Sequence, residues 1–224
     1  MRKLLLTLAG AVAAALALFF VILVVLPRPA DTTEARVFEG DASTLDHCAL
    51  PVLDGRGRSA DEIPKAFTPG CGWTEFPMPV LVDCREPLAP GVVDMRGLWL
   101  AYTGRIGHVE RIEQCGNRTV VTSSGVIHDF RTDGTLANGS RDIERPYCVN
   151  TFVSIEFIGG VMRFHPFGLP YTIVTRRMKG DELVWTYPQI EGEVRMRRLC
   201  KLPELDADLR ASGALSSPVG RGSS

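Results

Sequence analysis

The sequence predicts an all-β protein: an antiparallel up-and-down barrel of eight to ten strands that follows an N-terminal transmembrane helix and an irregular, cysteine-containing segment. Three observations lead to this fold class. Residues 4–26 form one apolar run without a charge, all six cysteines follow that run, and residues 97–201 alternate between apolar and polar positions in short runs separated by glycine-containing turns. Alternation with a period of two is typical of strands with one face in a core.

The apolar run predicts a signal anchor over residues 1–30. A helix of 23 residues reaches about 34 Å, which is enough for a hydrocarbon core of about 30 Å. Arg2 and Lys3 precede the run, which favours a cytoplasmic N-terminus and an extracytoplasmic domain, periplasmic in a bacterium. The alternative is a signal peptide whose cleavage secretes the protein, although Pro27-Arg28-Pro29 is a poor cleavage context.

Cysteine usage agrees with an oxidising compartment, where disulfides persist. The spacing contains no C-x2-C pair, which argues against a structural zinc site. The candidate disulfide residues are Cys48, Cys71, Cys84, Cys115, Cys148 and Cys200. If the strands alternate in direction, Cys84 is expected to pair with Cys115 or Cys200, and Cys148 with Cys48 or Cys71.

Residues 31–95 are predicted to be a tether followed by an irregular segment. They are rich in proline, glycine and aspartate and show no sustained helical or strand period. The cysteines together with Trp73 and Phe76 indicate that part of this segment packs on the neighbouring domain. Residues 203–224 are small and polar, which predicts a disordered tail.

Residues 96–202 are predicted to form the barrel. Ten strand-like runs follow one another with too little chain between them for crossover helices, so an antiparallel sheet is expected. Closing that sheet would remove its exposed edges. The runs cover residues 98–104, 109–115, 118–123, 126–131, 136–143, 149–157, 161–166, 171–178, 183–187 and 193–200.

Three residues suggest how the barrel closes. Gly97 and Trp99 open the first run. Arg198 in the last run lies an even number of residues from Val194 and Met196, so all three are expected on the interior face. First and last strands are neighbours in a closed barrel, so the guanidinium of Arg198 is expected to lie over the indole of Trp99.

This arrangement resembles the lipocalin and calycin superfamily, in which Gly-x-Trp opens the first strand and a basic residue of the last strand packs across the tryptophan. The resemblance covers residues 97–201 and implies a barrel that binds a small apolar or amphipathic molecule. The candidate ligand-binding residues of its interior are Trp99, His128, Phe130, Phe164, Trp185 and Tyr187.

Two other functions stay open. Small barrels are often filled by their own side chains. A filled barrel would favour a structural or protein-interaction module of the cell envelope, with Trp73 and Phe76 at its contact surface. The third hypothesis is an enzyme centred on His128, although no G-x-S-x-G elbow is present.

Composition and motifs argue against several other classes. The net charge is −1, and the first thirty residues carry three cations and no acid. The remainder therefore carries −4, so no nucleic-acid partner is expected. No dinucleotide or P-loop motif occurs, and no cofactor is expected. His128 is predicted to point inward and His165 outward, so no metal site is expected. The partners considered are a lipid-like molecule, the membrane through the N-terminal helix, and an envelope protein.

Overall fold

The computed structural model describes residues 2–25, 41–144, 148–188 and 190–203. Within these residues it contains one α-helix and ten strands in a nearly closed antiparallel barrel. The helix is α1 (Arg2–Val25). The strands are β1 (Gly97–Ala101), β2 (Val109–Cys115), β3 (Arg118–Ser123), β4 (Val126–Arg131), β5 (Ser140–Glu144), β6 (Val149–Ile158), β7 (Val161–Pro166), β8 (Val174–Lys179), β9 (Glu182–Thr186) and β10 (Val194–Leu199).

The sheet order confirms the predicted antiparallel arrangement. The strands follow β4-β3-β2-β1-β10-β9-β8-β7-β6-β5, so the first and last strands of the chain pair with each other. Trp99 lies opposite Arg198 in that pair. The predicted run at 136–143 becomes a strand only from Ser140, because Asp133 accepts hydrogen bonds from Thr135 and Asn138 and holds the preceding residues in a turn.

Strands β4 and β5 share no ladder among the described residues, and the irregular segment fills the space between them. The Thr68 hydroxyl accepts a hydrogen bond from Ile127 N (2.9 Å) and donates one to Asp142 Oδ2 (2.7 Å). At the end of β4, Arg131 N donates a hydrogen bond directly to Asn138 O at 2.7 Å. Residues far apart in the sequence therefore complete the barrel wall.

Two hydrophobic cores lie on opposite sides of the sheet. The interior core is built from inward side chains of the strands, and the outer core lies between the outer face of β2–β4 and the irregular segment. The buried interior residues include Trp99, Ile112, Val121, Phe130, Ile155, Met162, Leu183, Trp185 and Met196. The outer core includes Ala60, Ile63, Ala66, Trp73, Leu81, Val120 and Ile127.

Arg118 fastens the irregular segment to the barrel. It pairs with Asp129 at 2.6 Å, and its guanidinium donates to the backbone carbonyls of Ala60, Ile63 and Pro64. A buried cation needs such partners to offset its lost hydration. This one residue therefore fixes the path of the segment over β3 and β4.

The expected contact surface at Trp73 and Phe76 is not exposed. Trp73 is 8% exposed and its Nε1 donates to Val126 O at 3.0 Å. Phe76 packs edge-on against it, with ring centroids 5.1 Å apart, and lies under Arg111. These rings belong to the outer core because the segment folds back onto the sheet.

The three disulfides fall within the predicted alternatives. Cys84 pairs with Cys115, and Cys148 with Cys71. The remaining pair joins Cys48 to Cys200 across 152 residues. Each bond ties the irregular segment to a different part of the barrel.

Helix α1 covers most of the predicted transmembrane run. Its side chains are described over residues 7–19, and all of these are exposed. Among the described residues no helix has both the length and the hydropathy of a membrane span, so the predicted transmembrane segment is not confirmed. The predicted tether up to residue 40 and the tail from residue 204 lie outside the described residues.

Candidate functional site

The interior residues predicted to bind a ligand come together as expected, but they pack against one another. Trp99, Phe130 and Trp185 are buried, while Phe164 and Tyr187 pack against them. Phe130 and Phe164 meet edge-to-face with centroids 5.7 Å apart, and Trp185 and Tyr187 at 6.3 Å. Two pockets formed by the described residues are lined by none of these interior side chains.

An ion pair crosses the middle of the barrel. Arg176 on β8 reaches Glu110 on β2 with Nη2–Oε2 and Nε–Oε1 distances of 3.0 and 3.2 Å. The guanidinium also lies over Phe164 and Trp185, 4.9 and 5.7 Å from their centroids. This pair and the two rings therefore fill part of the barrel interior.

The ion pair keeps Glu110 charged although its side chain is fully buried. Burial alone would raise the pKa of Glu110, but the Arg176 guanidinium and hydrogen bonds from His108 and Arg176 outweigh it and lower the pKa to about 2. The carboxylate can therefore orient a neighbouring imidazole. His108 Nε2 lies 3.5 Å from Glu110 Oε2, and the His108 ring contacts Trp185 edge-on.

His128 lies on the inner face, as predicted. Burial, reinforced by the Arg176 guanidinium, lowers the pKa of His128 to about 4. Its Nδ1 lies 3.3 Å from the Ser140 hydroxyl, so the ring is a neutral hydrogen-bonding partner within the core.

A second polar arrangement lies on the outer face of the barrel, in a groove that we call the β6–β7 groove. It has a volume of about 350 Å³ and runs between the β4–β5 connection and the β7–β8 loop. The β4–β5 connection is held there by the hydrogen bond from Gly134 N to Ile155 O (2.9 Å). The lining residues are Gly134, Ser154, Glu156, Ile158, Arg163, His165, Gly168, Leu169, Pro170 and Thr172.

Two basic side chains line the β6–β7 groove, and one of them, Arg163, has unused hydrogen-bond donors. Arg163 is partly buried and forms no hydrogen bond or ion pair among the described residues, and its Nε is shielded from solvent. His165 Nε2 lies 3.2 Å from Glu156 Oε1, but it is not aligned for a hydrogen bond. His165 Nδ1 lies 3.2 Å from the Tyr171 carbonyl oxygen and therefore carries a ring proton, which it donates there. Buried donors normally have partners, so Arg163 favours an external acceptor in the groove.

Apolar side chains surround the same groove. Leu136 lies against Gly168, and the β7–β8 loop contributes further exposed rings and alkyl groups. Five large hydrophobic residues, each between 43% and 52% exposed, form this apolar rim: Leu136, Ile158, Phe167, Leu169 and Tyr171. A cluster of exposed hydrophobic residues around a polar centre is typical of a binding site.

The described residues contain one group with three potential metal-binding atoms close together, Asp46 with Cys48 and Cys200. The two thiols are joined in a disulfide, and thiolate is the form of cysteine that binds metal. Asp129 and Asp142 are separately occupied by Arg118 and Thr68.

Sequence reasoning missed the interior ion pair and the β6–β7 groove. A signal for the pair exists, since Glu110 and Arg176 occupy inward positions of their strands beside Ile112 and Val174. No local signal identifies the groove, because its walls come from two strands, β6 and β7, and from two separate connections, β4–β5 and β7–β8. No protein-family model and no curated protein matches this sequence.

Proposed function

We propose that this chain is an extracytoplasmic binding domain whose β6–β7 groove takes an amphipathic molecule with an acidic head group, of the fatty-acid type. The observation that carries the proposal is Arg163, a partly buried guanidinium inside a groove with an apolar rim, which has no partner among the residues that the structure describes. Guanidinium groups bind carboxylates through paired, charge-assisted hydrogen bonds. The lipocalin-like kinship is part of this proposal, and the pairing of β1 with β10 supports it.

The expected pose follows from the groove. The carboxylate accepts hydrogen bonds from Arg163, while the chain lies across Ile158 and Leu169. Glu156 also lines the groove and lies opposite Arg163 in the β6–β7 ladder. The ligand binds on the outside of the barrel, so the Glu110–Arg176 pair does not have to open.

Binding of dodecanoate tests this proposal, with dodecanol as the matched ligand that lacks the charge. Native mass spectrometry of the full chain after gentle extraction should show one dodecanoate adduct and a weaker one for dodecanol. Arg163→Gln should weaken dodecanoate binding about 10- to 100-fold, since a hydrogen bond to a charged group contributes about 1.5–3 kcal/mol. Arg197→Gln, which removes an exposed arginine of β10, is the control and should bind normally. Equal affinity of the two variants would exclude the groove as the site.

The extracytoplasmic location rests on the three disulfides, because reducing compartments keep thiols free. Alkylation of intact cells with a thiol reagent, followed by non-reducing peptide mapping of the chain, tests it. Cysteines protected in all three pairs are expected. Six alkylated cysteines in freshly lysed cells would place the domain in a reducing compartment.

A protein partner is the second candidate, and the exposed apolar rim favours it. Such a partner would place an acidic side chain on Arg163 and cover Phe167 and Tyr171. A photo-crosslinking residue at position 171, compared with one at Val52 on a different exposed loop, tests this possibility in the producing cells. A specific product from position 171 alone would favour the protein partner over the lipid.

A further inference from the structure

A serine, a histidine and a carboxylate contact one another in sequence where the β3–β4 turn meets the connection between β1 and β2. Ser124 Oγ lies 3.2 Å from His108 Nδ1, and His108 Nε2 lies 3.5 Å from Glu110 Oε2. The carboxylate is ionised. Arg176 Nη2 donates to the same oxygen, Oε2, at 3.0 Å, and Arg176 Nε donates to Oε1 at 3.2 Å. This is the order of groups that activates a nucleophilic serine, with the two ring nitrogens exchanged relative to the usual case.

The turn between β3 and β4 presents Ser124 outside the packed core. Ser124 and Gly125 both have positive φ, 48° and 83°, as a two-residue hairpin turn requires. Trp73 holds this turn: its backbone N donates to Gly125 O at 2.9 Å and its indole donates to Val126 O. The hydroxyl is therefore partly exposed on a turn that is fixed from outside.

We propose that Ser124 is a nucleophile activated by His108, with Glu110 as a positioning residue, and that this site hydrolyses small esters. The site is separate from the β6–β7 groove and does not depend on the function proposed for it. A comparison within the chain supports the assignment. The Ser140–His128 pair has a similar 3.3 Å contact, but Ser140 is only 4% exposed and no carboxylate contacts its imidazole among the described residues.

The reaction balances with water as the second reactant. Ser124 Oγ attacks the ester carbonyl carbon while its proton passes to His108 Nδ1. The carbon–oxygen bond to the alcohol breaks, and the leaving alkoxide takes that proton from His108. Water then attacks the acyl-serine, giving one proton to His108, and the restored serine hydroxyl takes it back as the carboxylic acid leaves. Glu110 stabilises the imidazolium in both halves.

The surroundings of His108 define the substrate class. Trp185 lies 5.7 Å from the His108 ring but is only 4% exposed. Tyr187 packs on Trp185 and is partly exposed, so it offers an aromatic surface for an aryl or short acyl group. The backbone N–H groups of Ser124 and Gly125 donate to no protein acceptor among the described residues. Free backbone donors beside a nucleophile can stabilise the developing oxyanion.

Covalent labelling of the full chain with a fluorophosphonate tests the nucleophile directly. A single adduct that peptide mapping places on Ser124 is expected. Ser124→Ala should abolish this adduct, His108→Gln should slow its formation at least 10-fold, and the matched control Ser140→Ala should label as the parent chain does. Labelling elsewhere, or an unchanged rate in His108→Gln, would overturn the proposal.

Hydrolysis of 4-nitrophenyl acetate gives the second readout. The parent chain should turn over the ester repeatedly, and loss of His108 should lower the rate by about 10²- to 10⁴-fold, the usual contribution of a general base. Thermal unfolding of each variant separates inactivation from loss of fold. If correctly folded Ser124→Ala hydrolyses the ester at the parental rate, the site is not catalytic.

Discussion

The guanidinium carbon of Arg198 lies 4.5 Å from the centroid of the Trp99 indole, across the seam between β1 and β10. Arg198 also donates a hydrogen bond to the carbonyl of Arg96. Arg198 was expected to point inward, because it lies on the same face of β10 as Val194 and Met196. Its side chain is exposed instead, because β10 ends at the rim of the barrel. A cation–π contact at an exposed site contributes about 0.5–1 kcal/mol, so this contact aligns the seam more than it stabilises the domain.

Gly97→Ala is expected to disrupt this contact. Gly97 has a φ of +141°, and an added Cβ would stand 2.3 Å from Arg198 Nη1, so the guanidinium must leave its place. We expect a loss of about 1–3 kcal/mol in the free energy of unfolding, from the strained φ and the lost contacts. Urea denaturation measures it.

Gly91→Ala provides the matched control, because Gly91 also has a positive φ of +85° but no atom within 4 Å of an added Cβ. Gly91→Ala should lower the free energy of unfolding by less than Gly97→Ala does. Arg198→Ala should be destabilising in the parent chain and nearly neutral in the Gly97→Ala background. Additive effects would show that Arg198 and Gly97 are independent.

Removal of one partner of the interior ion pair should be severe. Glu110→Gln leaves the buried guanidinium of Arg176 without its counter-charge, which typically costs about 3–5 kcal/mol. The double variant Glu110→Leu with Arg176→Met removes both charges and should be considerably more stable than Glu110→Gln. Equilibrium unfolding of the two variants checks this order, and the reverse order would mean that the interior is hydrated.

Asp142 and His128 should have opposite effects on stability between pH 4 and pH 6. Burial raises the pKa of Asp142 to about 6, despite hydrogen bonds from Thr68. In this range the folded state keeps a proton on Asp142 that the unfolded chain has lost, so its contribution falls as pH rises. The lowered pKa of His128, about 4, means that the unfolded chain holds the extra proton there, so its contribution rises.

The two contributions nearly cancel in the parent chain, because unfolding releases a proton from Asp142 and adds one to His128 in this range. Asp142→Asn should therefore gain stability from pH 4 to pH 6, and His128→Asn should lose it. Urea denaturation at both pH values measures the effect. The same pH slope in both variants would contradict the assignment.

The disulfides should be reduced in an order set by their exposure. Cys84 and Cys115 are 1% and 0% exposed, whereas Cys48 and Cys200 are both exposed. Under limiting reductant the Cys48–Cys200 bond should open first and the Cys84–Cys115 bond last, because a thiolate must reach the sulfur it attacks. Timed alkylation with mass mapping records the order, and early loss of the Cys84–Cys115 bond would show that the outer core opens readily.

The local sequence pattern was sufficient to predict where several strands begin and end. The predicted runs at 109–115, 118–123, 126–131 and 161–166 coincide with β2, β3, β4 and β7, because alternation and turn residues act over a few positions. The sequence narrowed the disulfide pairing of Cys84 to Cys115 or Cys200 but did not decide between them. That choice depends on how the irregular segment crosses the barrel.

The sequence by itself determined the antiparallel meander, the meeting of Trp99 with Arg198 and the inward position of His128, because each follows from period-two alternation and the neighbouring of first and last strands. Only the tertiary structure decided that Thr68 bridges β4 and β5 and that Glu110 pairs with Arg176 across the interior. It also placed Arg163 in a groove where it has no hydrogen-bond partner among the described residues. These contacts join residues far apart in the chain, and they depend on strand register, barrel closure and the path of the connections, which no local pattern specifies.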